Sequence, residues 1–448
     1  MMQEDKVQKV IEHDKKYFAK AGRIPYYPLV IESAHGATLT DVNGKSYIDL
    51  LSSASSQNVG HTPKKIVEAI KKQAEKMVHY TPAYMHHEPL SKLAERLCQL
   101  SPGSFEKQVL FGLTGSDAVD GMIKFARGFT GRPYVISFTN AYHGSTYGSI
   151  TASTISLNMR RKIGPLLPGF FNIPYPDAYR GMYGASNANT VDEYLAPLKE
   201  MFETYVPAEE VACILIETFQ GDGGLLEPVK GYFEALSELC KEHGILLAVD
   251  DIQQGFGRTG KFSSVEHFDI EADLIAYGKS IAGGMPMSAI VGRKEVMDAL
   301  DAPAHLFTTG ANPVCCEAAL ATIDILEEDN LIAETARKGQ RVKEQLQQWQ
   351  TKYDCVGDVR GEGLSIGIDI VTDKRNKTKD AEAALKICNY CFDHGVVIIA
   401  IAGSVLRFQP PLVITDDELD QALTILESAI QGVENGELDT YQVEGQGW

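Results

Sequence analysis

The sequence predicts an α/β protein: a large domain built on a mostly parallel sheet covered by helices, followed by a smaller α+β C-terminal domain. Three observations predict it. From Gln108 onward, short apolar runs alternate with amphipathic helical stretches, which is the pattern of βαβ units. Residues capable of chemistry stand just after several of those runs, where open parallel sheets bind their ligands. From about Asn330 the pattern changes to long charged helices with a few strands between them.

Taken in order, residues 1–20 are charged and helical in pattern, without an apolar stretch of the signal-peptide type. Residues 36–50 alternate apolar and polar side chains around Asn43-Gly44, a strong hairpin signal. Ile66, Ile70 and Met77 lie on one face of a helix spanning 63–79. Strands are expected at 109–111, 135–138, 214–216, 245–249 and 274–276, and helices at 117–127 and 229–243, the latter ended by Gly244. Strands at 365–370 and 396–399 belong to the C-terminal domain. The domains read as 1–57, an N-terminal segment that joins the small domain; 58–328, the large domain; and 329–448, the small one.

The chain has 448 residues, 44% hydrophobic and 23% charged, with 60 acidic against 42 basic residues and a net charge of −18. Nucleic acid and anionic membranes need a basic footprint that this balance does not offer. No run reaches transmembrane length, so the expectation is a cytoplasmic protein. Cys388 and Cys391 have the spacing of a metal or redox pair, but no second pair or partner histidines accompany them; they read as helix residues, with no metal. His86 and His87 are adjacent, so they do not share a helix face.

The chemistry gathers at strand ends. Asp250 continues a run of five apolar residues, and a carboxylate there is costly unless a cation meets it. Asp251 fits an exposed loop acid. Lys279 follows another short strand and is flanked by Gly278, Ser280, Gly283 and Gly284. A lysine normally titrates near about 10.4; against apolar surface it loses charge readily and becomes a Schiff-base nucleophile. The glycines leave room for a bulky ligand. Thr114, Gly115 and Ser116 join a strand to a helix, which makes either a phosphate cup or an ordinary cap. Tyr142 could stack on a flat ring or fill core.

In this order, phosphate cup, aromatic, strand-end acid and lysine resemble the class III (subgroup II) aminotransferase family, fold type I of the pyridoxal phosphate enzymes. The likeness runs from about Pro25 to Gly432 and is most specific in GFGRTG after Asp250 and GKSIAGGMP around Lys279. The resemblance implies a seven-stranded large-domain sheet, pyridoxal 5'-phosphate as cofactor and a homo-oligomer that shares its active site across the dimer interface. It implies that Lys279 forms the Schiff base, Asp250 pairs with the pyridine nitrogen, Gly115 and Ser116 hold the phosphate, Tyr142 stacks on the ring and Gln253 lies near its phenolic oxygen. Thr308, in HLFTTGANP, would reach the phosphate of the neighbouring subunit, and Arg407, in LRFQPPL, would take a substrate carboxylate, which suits a planar guanidinium.

At 217–224, ETFQGDGG, the chain has Asp222 where many members have glutamate and Thr218 where they usually have proline. Together with YYPLVIESAHGATL, HYTPAYMHH, LDAPAHLFTTGANPVC and RFQPPLVI, this makes the chain most similar to the family's racemase/epimerase branch. That resemblance implies a two-base inversion at Cα, with Lys279 on one face and Asp222 on the other. Tyr27 and Tyr142 would wall an apolar pocket, and no second arginine or lysine is placed to demand an acidic side chain. The expected substrates are nonpolar amino acids such as isoleucine, valine or leucine. The competing reading is an aminotransferase of the 4-aminobutyrate or ω-amino acid type using a keto-acid acceptor. A silent binding protein on the same fold would have lost Lys279 or Asp250, and both are present.

Overall fold

The structure, a computed structural model, describes residues 2–182 and 190–443. The chain divides into two compact units, one of Met1–Pro63 with Arg337–Trp448 and one of Lys64–Ala336.

The larger unit is built on a seven-stranded sheet of β1 (Lys107–Gly112), β2 (Tyr134–Phe138), β3 (Phe170–Ile173), β4 (Val211–Ile216), β5 (Leu246–Asp250), β6 (Leu274–Tyr277) and β7 (Ser288–Arg293). The spatial order is β1-β7-β6-β5-β4-β2-β3. The pairs β6–β5, β5–β4, β4–β2 and β2–β3 are parallel, whereas β7 runs antiparallel to both β1 and β6. Strands β4, β5 and β6 are buried along their whole length, as expected when helices cover both faces. The Gly115–Thr130 helix contributes Ala118, Val119, Met122 and Ile123 to the core, against Ala248, Ala276 and Ile290 of the sheet.

Three expectations need correcting. The 229–243 helix begins at Tyr232, because Gly231 is left-handed (φ 85°) and Pro228 precedes it. The 63–79 helix spans Lys64–Lys76; Met77 lies beyond its end, where its carbonyl accepts from the Gln73 side chain at 3.0 Å. The single strand expected at 396–399 is two: Val396–Val397 pairs in parallel with Ser46–Asp49, and Ile399–Ile401 pairs antiparallel with Val405–Phe408. Two short segments in different sheets look like one apolar run in the sequence.

The other unit holds both of those sheets. The hairpin around Gly44 (φ 83°) pairs Thr38–Asp41 with Ser46–Asp49. Asp41 closes the turn, its Oδ1 accepting from the backbone N–H of Asn43 at 2.8 Å and of Lys45 at 2.9 Å. The second sheet runs Val356–Glu362, Ser365–Asp373, Val405–Phe408, Ile399–Ile401. Among the described residues no helix is long and apolar enough to cross a membrane.

Candidate active site

Register brings the strand ends of the larger unit together. Ile216 pairs with Val249, and Asp250 with Ala276. Glu217, Asp250 and the Tyr277-Gly278-Lys279 segment therefore leave neighbouring parallel strands at the same edge of the sheet. Ile252, two residues past β5, packs against both Gly115 and Gly278: a Cβ on Gly115 would stand 2.8 Å from Cδ1 of Ile252, and one on Gly278 3.1 Å from its Cγ2 and 3.4 Å from the Gly115 Cα. The start of the Gly115–Thr130 helix is thus held beside the residue preceding Lys279.

Asp250 is buried. Its Oδ2 lies 2.8 Å from Nδ1 of His143, and its Oδ1 accepts from the Ile252 N–H at 3.1 Å. His143 is buried as well, and its Nε2 has no hydrogen-bond partner among the described residues. Burial alone would lower the His143 pKa; the bond to Asp250 and the charges of Asp250 and Glu217 outweigh it, so the imidazole is raised above its ordinary value. Glu217 accepts from the N–H groups of Gly221 at 2.8 Å and Tyr142 at 3.3 Å. Burial first, then the charge of Asp250, push it up to about 7 against the opposing pull of His143 and those two bonds.

Lys279 opens a short 3₁₀ turn with a left-handed backbone, φ 45°, an uncommon conformation for a non-glycine residue that tends to mark function. Burial lowers its pKa more than the attraction of Asp250 and Glu217 raises it, which favours the neutral, nucleophilic amine.

Asp222 is buried on a turn in which Gly224 and Leu225 donate their N–H groups to the Gly221 carbonyl at 3.1 and 3.0 Å. Gln253 lies against that turn: a Cβ on Gly221 would stand 2.3 Å from its Oε1. At the other end of the site, Thr114 caps the Gly115–Thr130 helix in a capping box with Asp117. Ser116 Oγ accepts from the Ser145 N–H at 3.0 Å, which leaves its own proton to donate. Tyr142 is half-buried. Thr308 is exposed, its carbonyl accepting from His79 Nε2 at 2.8 Å. A separate hollow of about 370 Å³, lined among others by Phe111, Leu300, His305, Phe307 and Gly310, contains neither Lys279 nor the strand-end carboxylates.

The family described as Aminotransferase class-III matches residues 18–430. The chain belongs to that family. Among relatives of this class III protein, the isoleucine 2-epimerase of Lentilactobacillus buchneri is 52% identical over 446 residues, 99% of each chain. The leucine/methionine racemase of Thermococcus litoralis is 42% identical over 430 residues, 96% of each. The taurine:2-oxoglutarate aminotransferase from Bifidobacterium kashiwanohense, solved in complex with PLP and glutamate, superposes with a TM-score of 0.89 at 30% identity, covering 96% of this chain and 98% of that one.

Class III aminotransferases are pyridoxal 5'-phosphate enzymes, and the residues of this member fit that group. The Lys279 amine makes no hydrogen bond or ion pair among the described residues, and the imidazole-backed Asp250 carboxylate suits a cationic ring nitrogen. Ser116 has a free hydroxyl proton at a helix N-terminus, which suits a phosphate.

The smaller unit holds the other two candidates. Arg407 is buried in the middle of Val405–Phe408, opposite Gly367 and Ile399. The Tyr27 ring stacks on Phe392 with centroids 4.4 Å apart, and its hydroxyl donates to the carbonyls of Ile398 and Cys388. Cys388 and Cys391 are buried on the Ala381–Asp393 helix, and burial raises both thiols, Cys388 to about 12.

Asp251 needs correcting. It is buried, not exposed: Ser263 Oγ donates to its Oδ2 at 2.7 Å, the Ser264 N–H to the same oxygen at 3.1 Å, and Ser264 Oγ to its Oδ1. Sequence reasoning also assigned no role to His143 and Glu217. The signals were their places, directly after Tyr142 and directly after a fully apolar strand.

Proposed function

We propose that this protein is a pyridoxal phosphate-dependent amino-acid racemase/epimerase that inverts Cα of nonpolar amino acids. The observation that carries this reading is a buried Asp222 on the Gly221–Gly224 turn, at the same strand-end edge as the Lys279 amine, which makes no hydrogen bond or ion pair among the described residues. The similarity to an isoleucine 2-epimerase and a leucine/methionine racemase supports it.

The bound cofactor supplies an electron sink that acidifies the α-hydrogen. The residues do the rest. The Lys279 amine, whose pKa burial lowers, takes or returns the proton at Cα on one face. The Asp222 carboxyl does the same on the opposite face, so a proton removed from one side is replaced from the other. Asp250, braced by His143, would pair with the ring nitrogen and favour its protonated form. Gly115 and Ser116 would bind the phosphate, and Tyr142 and Gln253 would hold the ring. Arg407 takes the substrate carboxylate. Isoleucine, valine and leucine differ by single methylenes, which an apolar pocket separates by only about 1–3 kcal/mol, so specificity among them is low. The active form is a cytoplasmic homo-oligomer in which Thr308, exposed on its own protomer, completes the phosphate site of a second copy.

The test is L-isoleucine in deuterated water with the holoenzyme and no keto acid. Accumulation of D-allo-isoleucine carrying deuterium at Cα is the expected result. No inversion, with amino transfer appearing once pyruvate or 2-oxoglutarate is added, would replace this reading with an aminotransferase.

A further inference from the structure

The loop that carries Asp222 leaves β4 after Ile216 and returns at Leu226. Several bonds shape it from within or tie it to its own side of the sheet. Gly221 N–H donates to Glu217 Oε2 at 2.8 Å, Gln220 and Leu226 exchange backbone bonds of 3.1 Å, Gln220 Nε2 donates to the Thr139 carbonyl at 2.8 Å, and Tyr175 donates to the Thr218 carbonyl at 2.9 Å. The Thr218 hydroxyl makes a connection of another kind. It bonds Ser264 Oγ, which donates to Oδ1 of Asp251, whose own N–H donates to the Ala276 carbonyl of β6 at 3.0 Å. Thr218, Ser264 and Ala276 are fully shielded from solvent, and Asp251 is 1% exposed. Since Ser264 has one hydroxyl proton and gives it to Asp251, Thr218 is the donor to Ser264.

A chain of hydrogen bonds therefore runs from the loop of Asp222 to the strand that leads into Lys279. We propose that Thr218 is a positioning residue for Asp222: its hydroxyl, through Ser264 and Asp251, fixes the Asp222 loop relative to the Lys279 strand and so decides how much proton exchange at Cα ends in inversion. This rests on the two-base reading above. Removing and returning a proton on one face needs Lys279 alone, whereas inversion needs both groups in register. A displacement of about 1 Å can cost on the order of 10²-fold in such a step. Valine has the shape of threonine without the hydroxyl, so the bond is separable from the packing.

The experiment compares wild type, Thr218→Val and Thr218→Ser holoenzymes with L-isoleucine in deuterated water. Loss of Cα–H is followed by NMR and D-allo-isoleucine by chiral chromatography. Amide hydrogen exchange of the holoenzymes is read over residues 217–226. In Thr218→Val the ratio of inversion to exchange falls roughly three- to tenfold, as the loss of one hydrogen bond allows, and the 217–226 amides exchange faster. Thr218→Ser restores both. An unchanged ratio overturns the proposal, as does a parallel fall of exchange and inversion, or amides of 217–226 that are as protected in Thr218→Val as in wild type. A wild type that inverts no nonpolar amino acid sinks the two-base reading instead, and the amide measurement then judges the Thr218 connection by itself.

Discussion

Nδ1 of His143 stands 2.8 Å from Oδ2 of Asp250, and both side chains are buried. Burial would lower the imidazole, but this contact raises it above its ordinary value, which favours a charge-assisted hydrogen bond between the two. A hydrogen bond to a charged group is worth about 1.5–3 kcal/mol. His143→Ala should lower racemisation roughly 10- to 150-fold and weaken cofactor retention, measured by steady-state rates and by the visible absorbance that survives dialysis. Full activity with full retention would remove His143 from the site.

Asp222→Asn keeps the shape of the loop side chain and removes its capacity to carry a proton. Inversion of L-isoleucine should fall by at least about 10²-fold, the usual contribution of a general acid or base. The lysine-bound colour should persist, because Lys279 is untouched. Chiral chromatography with an absorbance spectrum checks both halves; near wild-type inversion would end the role given to Asp222.

Asp251 gives a prediction in pH. Burial pushes it from an ordinary 3.8 up to about 7, more than the bonds from Ser264 and Ser263 pull it down. A carboxyl with a raised folded-state pKa binds its proton more tightly folded than unfolded. The resulting stabilisation is whole below about pH 4 and is lost as pH rises through about 7, at up to about 1.4 kcal/mol per pH unit. Thermal scans of wild type and Asp251→Asn should show the wild type losing ground to the variant across that window and no further change above it. A difference that moves the other way would mean that the Ser263 and Ser264 donors hold an anion.

Tyr27→Phe removes the hydroxyl that serves the Ile398 and Cys388 carbonyls while leaving the ring on Phe392. The expected loss is about 1–2 kcal/mol of stability, read as a lower denaturant midpoint. The relative kcat/KM values for isoleucine, valine and leucine should stay as they are. A changed preference among these substrates would return Tyr27 to the pocket.

The parallel core of the sheet was legible because β4, β5 and β6 are apolar runs, and a polar residue that the fold has to accommodate stands at or just past the end of each: Glu217 after β4, Asp250 closing β5 and Lys279 two residues beyond β6. The strands Phe170–Ile173 and Ser288–Arg293 were not read from the sequence; both follow loops rich in Gly and Pro, where local pattern carries little information. Asp251 was misjudged because its partners lie at Ser263 and Ser264, beyond the reach of any local pattern. The partners of Tyr27 were hidden for a related reason: its hydroxyl meets carbonyls at 388 and 398, and nothing near residue 27 announces them.

The antiparallel strand β7 has a consequence for how the chain is made. β1 is an edge strand of the large sheet, and its one neighbour there is β7. While the ribosome extends the chain from Gly112 to Arg293, at about 5–20 residues per second, β1 has no strand to pair with, and its apolar Val109-Leu110-Phe111 run is an open template for another chain. Insertion of Ser288–Arg293 between β1 and β6 both completes the sheet and covers that hazard. Truncated or stalled products ending before β7 are the species that should aggregate.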